Sequence, residues 1–247
     1  MTVKGESCPS GLQSYALYNW DMTKQITHTF QNRTAVLCMS PAANAPLVFF
    51  NTHFENPDGF LQICRTAGCP DFHLLFVTPL DWDRDLSPWP AAAVMKGQED
   101  FSGHADEYLS FIEDQLLPWA QELLPSVYRR ILGGYSMGGL FALYALTKTG
   151  LFSMAAAVSP SVWYPDFTGY MKTHPVFSQV KAVDLSLGTK ESKTRNPLMK
   201  NVLEDLKEVE QILESQQIRC SLQMNPGNHF FQPDLRCAAA IARLLKQ

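Results

Sequence analysis

The chain has 247 residues, 46% of them hydrophobic and 18% charged, with a formal net charge of -4. That length and apolar share suit one large globular domain with a substantial core, 1–247. No basic stripe is present, which argues against a nucleic-acid partner, and no apolar run reaches the roughly 18 residues needed to cross a bilayer.

Met1 to Ser10 lacks the apolar stretch of a signal peptide, so a cytoplasmic location is expected. Cys8, Cys38, Cys64, Cys69, Cys220 and Cys237 then read as free thiols in a reducing compartment. Cys64 and Cys69 are too far apart for C-x-x-C and no second pair follows, so no metal site is expected.

Taken in order, Ser14–Asn19, Gln25–Phe30 and Ala35–Met39 read as strands separated by polar turns, an antiparallel entry to a sheet. Leu47 to Phe50 is a short continuous apolar run, the mark of a strand buried on both faces. A helix over Gly59–Ala67 and a second buried strand over His73–Thr78 follow. Pro79 to Pro90 reads as a long loop. Asp100 to Leu124 reads as a long amphipathic helix, with Phe101, Tyr108, Leu109, Phe111, Ile112, Leu116 and Leu117 at spacings of three and four, and Pro118 kinks or ends its first half. Beyond it come strands over Tyr128–Leu132, Met154–Val158, Val183–Leu187 and Ile218–Met224. Helices over Leu140–Lys148, Pro197–Ser215 and Pro233–Lys246 alternate with them. This alternation predicts an α/β fold: a mostly parallel central sheet with antiparallel N-terminal strands and helices on both faces. In such sheets the active site lies at the carboxyl ends of the strands.

The stretch from Arg130 to Tyr144 carries the strongest chemical signal. An apolar strand runs into a glycine-rich corner and leaves as a helix. The corner holds G-x-S-x-G: Gly134, Tyr135, Ser136, Met137, Gly138. A bare G-x-S-x-G arises by chance in about one chain in ten of this length, so the strand-before, helix-after context is what gives it weight. A serine on so sharp a turn projects its hydroxyl, and residues two before and two after it crowd each other, which calls for glycine at both. The first helical N–H groups face whatever the hydroxyl attacks, and the helix dipole favours a developing oxyanion there.

A serine hydroxyl needs a base, and the base an orienting carboxylate. With this corner the order along the chain is serine, acid, histidine. Only His174 and His229 follow Ser136. His229 stands directly after the last strand and before the closing helix, the place expected of the base, whereas His174 falls in a surface excursion. Glu191 follows the Val183–Leu187 strand and is the favoured acid; Asp166 is the runner-up, and a Ser–His pair without an acid stays open. Asp184 lies within its strand and points away from the loop edge. The Met137 amide is the first oxyanion donor. The second is expected from the loop after Phe50, near His53 or Phe54.

The chain resembles the putative-esterase branch of the α/β-hydrolases, which includes carboxylesterases, enterochelin-type siderophore esterases, feruloyl esterases and mycolyltransferases. The resemblance rests on Gly133 to Gly139, Val158-Ser159-Pro160-Ser161-Val162-Trp163, Leu187-Gly188-Thr189-Lys190-Glu191, Gly227-Asn228-His229, and Asp83 to Trp89. It implies an α/β-hydrolase fold with Ser136 as nucleophile, His229 as base and Glu191 as acid, acting on a small-molecule ester. One departure is visible. Many relatives carry Asp-Gly in the oxyanion loop, where this chain has Asn51-Thr52-His53-Phe54.

Trp82, Trp89, Trp163 and Tyr164 fall in loops that would surround Ser136, as a substrate pocket or as ordinary loop packing. Arg84 reads as a partner for Asp83 or Asp85 rather than for a substrate carboxylate. The expected activity is cofactor-free hydrolysis of carboxylic esters through an acyl-enzyme. Acyl transfer or siderophore trilactone cleavage on the same residues is an alternative, and so is a non-catalytic binding module on a hydrolase fold.

Overall fold

A computed structural model describes residues 24–52, 56–94, 97–124 and 126–247. The expected strand over Ser14–Asn19 lies outside them. In chain order the elements are β1 (Lys24–Phe30), β2 (Arg33–Met39), β3 (Leu47–Asn51), α1 (Pro57–Thr66), β4 (His73–Thr78), α2 (Trp82–Asp85), β5 (Pro90–Ala91), β6 (Phe101–Ser102), α3 (Ala105–Phe111), a π turn (Ile112–Leu116) and α4 (Leu117–Leu123). They continue with β7 (Arg130–Tyr135), α5 (Met137–Leu146), β8 (Met154–Val158), α6 (Phe167–Thr173), β9 (Ala182–Gly188), a 3-10 turn (Met199–Asn201), α7 (Val202–Ser215), β10 (Arg219–Asn225) and α8 (Pro233–Leu245).

Eight strands form one sheet in the order β1-β2-β4-β3-β7-β8-β9-β10. β1 and β2 pair antiparallel, as do β2 and β4; every pair from β4 through β3 and β7 to β10 is parallel. Helices cover both faces. Along β3, Leu47 and Phe49 enter a core shared with α3, α5 and α7, while Val48 and Phe50 enter a second core shared with α1 and α8. That alternation is why β3 reads as an unbroken apolar run: both faces are dry. No helix among the described residues is long and apolar enough to cross a membrane.

Several sequence expectations shift in detail. The Pro79–Pro90 loop contains the single-turn helix α2 and ends in a two-residue strand that pairs with β6. The long helix begins at Ala105 rather than Asp100, because Phe101 and Ser102 are taken by that small ladder. Pro118 does not end the helix. The missing donor is absorbed by the π turn before it, in which Leu117 N–H reaches Ile112 O, and the helix continues as α4. β7 starts at Arg130, leaving Tyr128 exposed, and runs on through Gly133 and Gly134, which pair with both β3 and β8. Glycine is a poor strand former alone, and here the neighbouring strands on both sides override that weakness. The first turn of the expected Pro197–Ser215 helix is 3-10.

Candidate active site

β7 is flanked by β3 and β8 and ends at Tyr135, and α5 starts at Met137. Ser136 between them has φ 57° and ψ -118°, a conformation that side chains other than glycine rarely adopt. A Cβ at Gly134 would stand 2.2 Å from the Gly138 carbonyl carbon, and one at Gly138 would stand 2.3 Å from the Asn51 carbonyl oxygen. The motif's two glycines are thus demanded by backbone against backbone, where nothing can yield. All ten residues of α5 are buried, so the corner is clamped by core packing on every side.

The loops after β8, β9 and β10 converge on this serine. His229 Nε2 lies 3.1 Å from Ser136 Oγ, and His229 Nδ1 lies 2.7 Å from Glu191 Oε2. With Nδ1–H donating to the carboxylate, Nε2 is left as the acceptor for the serine proton. Glu191 is 5% exposed and His229 28%. Burial alone would push the Glu191 carboxyl up; the hydrogen bond and charge of His229, with donors from Ser159 and the Gly188 amide, outweigh it and hold it below its ordinary value. The His229 loop is further pinned by the Tyr135 hydroxyl, which donates to the His229 carbonyl. Ser161 Oγ sits 3.3 Å from Ser136 Oγ, and the Ser161 amide donates to the Ser136 carbonyl.

The other candidates fall elsewhere. Asp166 is exposed at the start of α6, and His174 follows the end of that helix, its ring stacked on Tyr170. Asp184 is fully buried within β9 and accepts two bonds from Arg243. Met137 opens α5, where an amide has no acceptor inside its own helix. His53 and Phe54 lie outside the described residues. Just before them, the Asn51 side chain is fully buried, its Oδ1 accepting from the Tyr108 hydroxyl at 2.9 Å.

Tyr164 is 2% exposed, its hydroxyl donates to the Trp89 carbonyl, and the Trp89 indole donates to Pro165 O. Trp89 packs among Tyr144, Tyr164, Phe167 and Tyr170. Trp82 and Trp163 are partly buried against the same core. Arg84 pairs with Asp85 and Glu107. Ser159, Tyr135 and Arg236 gather around Glu191, and no motif in the sequence marks them for chemistry of their own. An arginine in the first turn of an otherwise Ala- and Leu-rich helix, just after the histidine, was the available signal for the last.

The Esterase family, described as "Putative esterase", matches residues 34–231. An uncharacterised protein of Bacillus subtilis, YbbA, is 26% identical over 200 residues, covering 76% of this chain and 80% of its own. A siderophore triacetylfusarinine C esterase of Aspergillus fumigatus is 42% identical over a shorter stretch of 83 residues, 32% of this chain and 27% of its own. Among solved structures, an IroE-like serine hydrolase from Shewanella oneidensis superposes with a TM-score of 0.74 at 17% identity, covering 91% of this chain and 80% of that one. The siderophore hydrolase EstA from Aspergillus nidulans superposes at 0.63 with 18% identity, covering 98% and 99%. The chain belongs to the putative-esterase family, has the α/β-hydrolase fold and is a carboxylic ester hydrolase.

Proposed function

We propose that the described residues work as one catalytic domain in which Ser136, His229 and Glu191 are the nucleophile, base and acid. The reading is carried by the unbroken hydrogen-bond chain from Ser136 Oγ through both imidazole nitrogens to Glu191 Oε2. Ser136 attacks the ester carbonyl as His229 takes its proton. The Met137 amide, at the positive end of α5, stabilises the oxyanion. Glu191 holds the imidazole in the tautomer that exposes Nε2 and stabilises the imidazolium. The tetrahedral species collapses, His229 protonates the departing alcohol, and water then removes the acyl group by the same route.

Among esters, a bulky substrate fits best. His229 is partly open to solvent, and Phe230 beside it is 83% exposed with its ring edge-on to the imidazole at 5.3 Å. Local similarity to a siderophore enterobactin esterase and a siderophore triacetylfusarinine C esterase points the same way, to a siderophore ester. The test is covalent labelling by a fluorophosphonate probe, with mass spectrometry to locate the adduct and Ser136→Ala as control. An adduct at Ser136 is expected. A folded protein that neither labels there nor turns over a small activated ester overturns the reading. Siderophore esters and simple aryl esters compared by kcat/KM then test the substrate class. Product analysis with added alcohols separates hydrolysis from acyl transfer.

A further inference from the structure

Arg236 occupies a place that opposes a cation twice over. It is 4% exposed, and it stands in the first turn of α8, where the helix dipole disfavours positive charge. A buried guanidinium persists only where its donors are met. Here four acceptors meet the four N–H donors of Nη1 and Nη2. Nη1 donates to Glu191 Oε1 at 2.9 Å and to Ser159 Oγ at 3.2 Å. Nη2 donates to the carbonyls of Pro226 and Asn228, each at 2.8 Å. One planar group therefore grips both the acid and the loop that carries His229, for Asn228 is the residue before it.

The bonds on Glu191 are divided between its two oxygens. Oε1 accepts from Arg236, from the Ser159 hydroxyl and from the Gly188 amide at 2.6 Å. Oε2 is left to His229. Three donors on one oxygen fix the plane of the carboxylate and aim the other at the imidazole.

We propose that Arg236 is a positioning residue for ester hydrolysis, a fork that sets the distance and angle between Glu191 and His229. The proposal rests on the triad reading above. Its fixed geometry matters as much as its charge, since lysine cannot span the carboxylate and two carbonyls with a planar pair of nitrogens.

Among the described residues, the ionisable groups set against Glu191 are His229, Arg236 and Tyr135, with Asp234 and Cys237 of α8 behind Arg236. Removing the cation raises the proton affinity of the Glu191–His229 pair. The acid limb of kcat then moves to higher pH.

The experiment compares wild type, Arg236→Met, Arg236→Lys, Glu191→Gln and the Arg236→Met/Glu191→Gln pair on an activated aryl ester, with active sites counted by fluorophosphonate. Arg236→Met is expected to lower kcat per active site by between about threefold and about a hundredfold, with KM within about twofold of wild type. Its acid limb moves up. Arg236→Lys is expected to lose kcat while keeping the wild-type limb. On the Glu191→Gln background the effect of Arg236→Met is expected to vanish, because the arginine acts through the carboxylate. If Arg236→Met does not fold, Arg236→Lys carries the test. A purely structural arginine lowers Tm and the count of active sites but leaves kcat per site and the acid limb unchanged; that result in either variant overturns the proposal. So does a loss that adds in full to that of Glu191→Gln. Failure of wild type to label at Ser136 would instead overturn the triad reading, and this proposal with it.

Discussion

Two carboxylates seven residues apart, Asp184 and Glu191, meet two arginines seven apart on α8, Arg243 and Arg236. Seven residues are two helical turns, so both arginines look out from one face. The pairs share chemistry and differ in setting. Asp184 sits inside β9 with both oxygens taken by Arg243 and a third bond from Ser221. Burial pushes its carboxyl above the usual value, and Arg243 and Ser221 only partly offset that. Glu191 sits past the end of β9, keeps one oxygen free of every donor but His229, and is held below its usual value. A buried Arg–carboxylate pair is therefore no sign of a site by itself. What sets Glu191 apart is a remaining oxygen that faces the His229 imidazole at the carboxyl edge of the sheet.

That contrast can be broken most severely at the serine. Ser136→Ala is expected to lower kcat by roughly 10⁵- to 10⁶-fold with Tm little changed, measured on an activated ester beside a thermal melt. Activity kept in that variant would leave Glu191 and His229 with nothing to serve. Next in size, Glu191→Gln is expected to cost roughly 10³- to 10⁴-fold in kcat, since the imidazole loses its orienting acceptor. The mid-strand pair should behave the other way. Arg243→Met strands a buried carboxylate and is expected to cost about 3 kcal/mol of stability while kcat stays within about threefold. If Arg243→Met destroyed turnover in a folded protein, the division into a structural and a working pair would fail.

The two pairs also predict different pH windows for their response to acid. Glu191 has a lowered folded-state value, so its stabilising contribution is full above the unfolded carboxylate range and is lost as pH falls through the folded value. The Tm gap between wild type and Glu191→Gln should therefore shrink as pH drops below about 4. In Arg243→Met the lone Asp184 carboxyl is raised further by burial. Its penalty is present when it is ionised and is relieved as pH falls, so that variant should recover stability relative to wild type on acidification. Melts from neutral pH downward check both: the Arg243→Met gap should close at higher pH than the Glu191→Gln gap, and gaps that close over one shared window would mean the carboxylates are not distinct.

Much of this was legible in the sequence because local rules and tertiary demands agreed there. The corner at Ser136 needs glycine at fixed offsets for backbone reasons alone, and the parallel strands announce themselves as continuous apolar runs. His229 stands out by its place after the last strand, and Glu191 by its place after β9, which is what makes them candidates. What was not legible depends on distant segments meeting. Pro118 reads as a kink or an end, and the burial of Ile112, Leu116, Leu117 and Ala120 on one face holds the π turn that carries the helix past it. Trp89 and Tyr164 are equally plausible as pocket walls or packing until their hydrogen bonds to each other's loops are seen. Arg236 is invisible to periodicity because its four acceptors come from three separate loops.

The smallest expected effect sharpens the choice of acid. Asp166 was the competing carboxylate, following β8 as Glu191 follows β9. It is exposed, makes no capping bond to α6, and has φ 63°. Asparagine tolerates that left-handed conformation about as well as aspartate does. Asp166→Asn should therefore leave kcat within about twofold and stability within about 0.5 kcal/mol. The measurement discriminates because the substitution removes charge without disturbing the backbone. A steep fall in kcat there, with the melt unchanged, would mean that the carboxylate serving His229 comes from the β8 loop in the working enzyme and that Glu191 is held by Arg236 for structure alone.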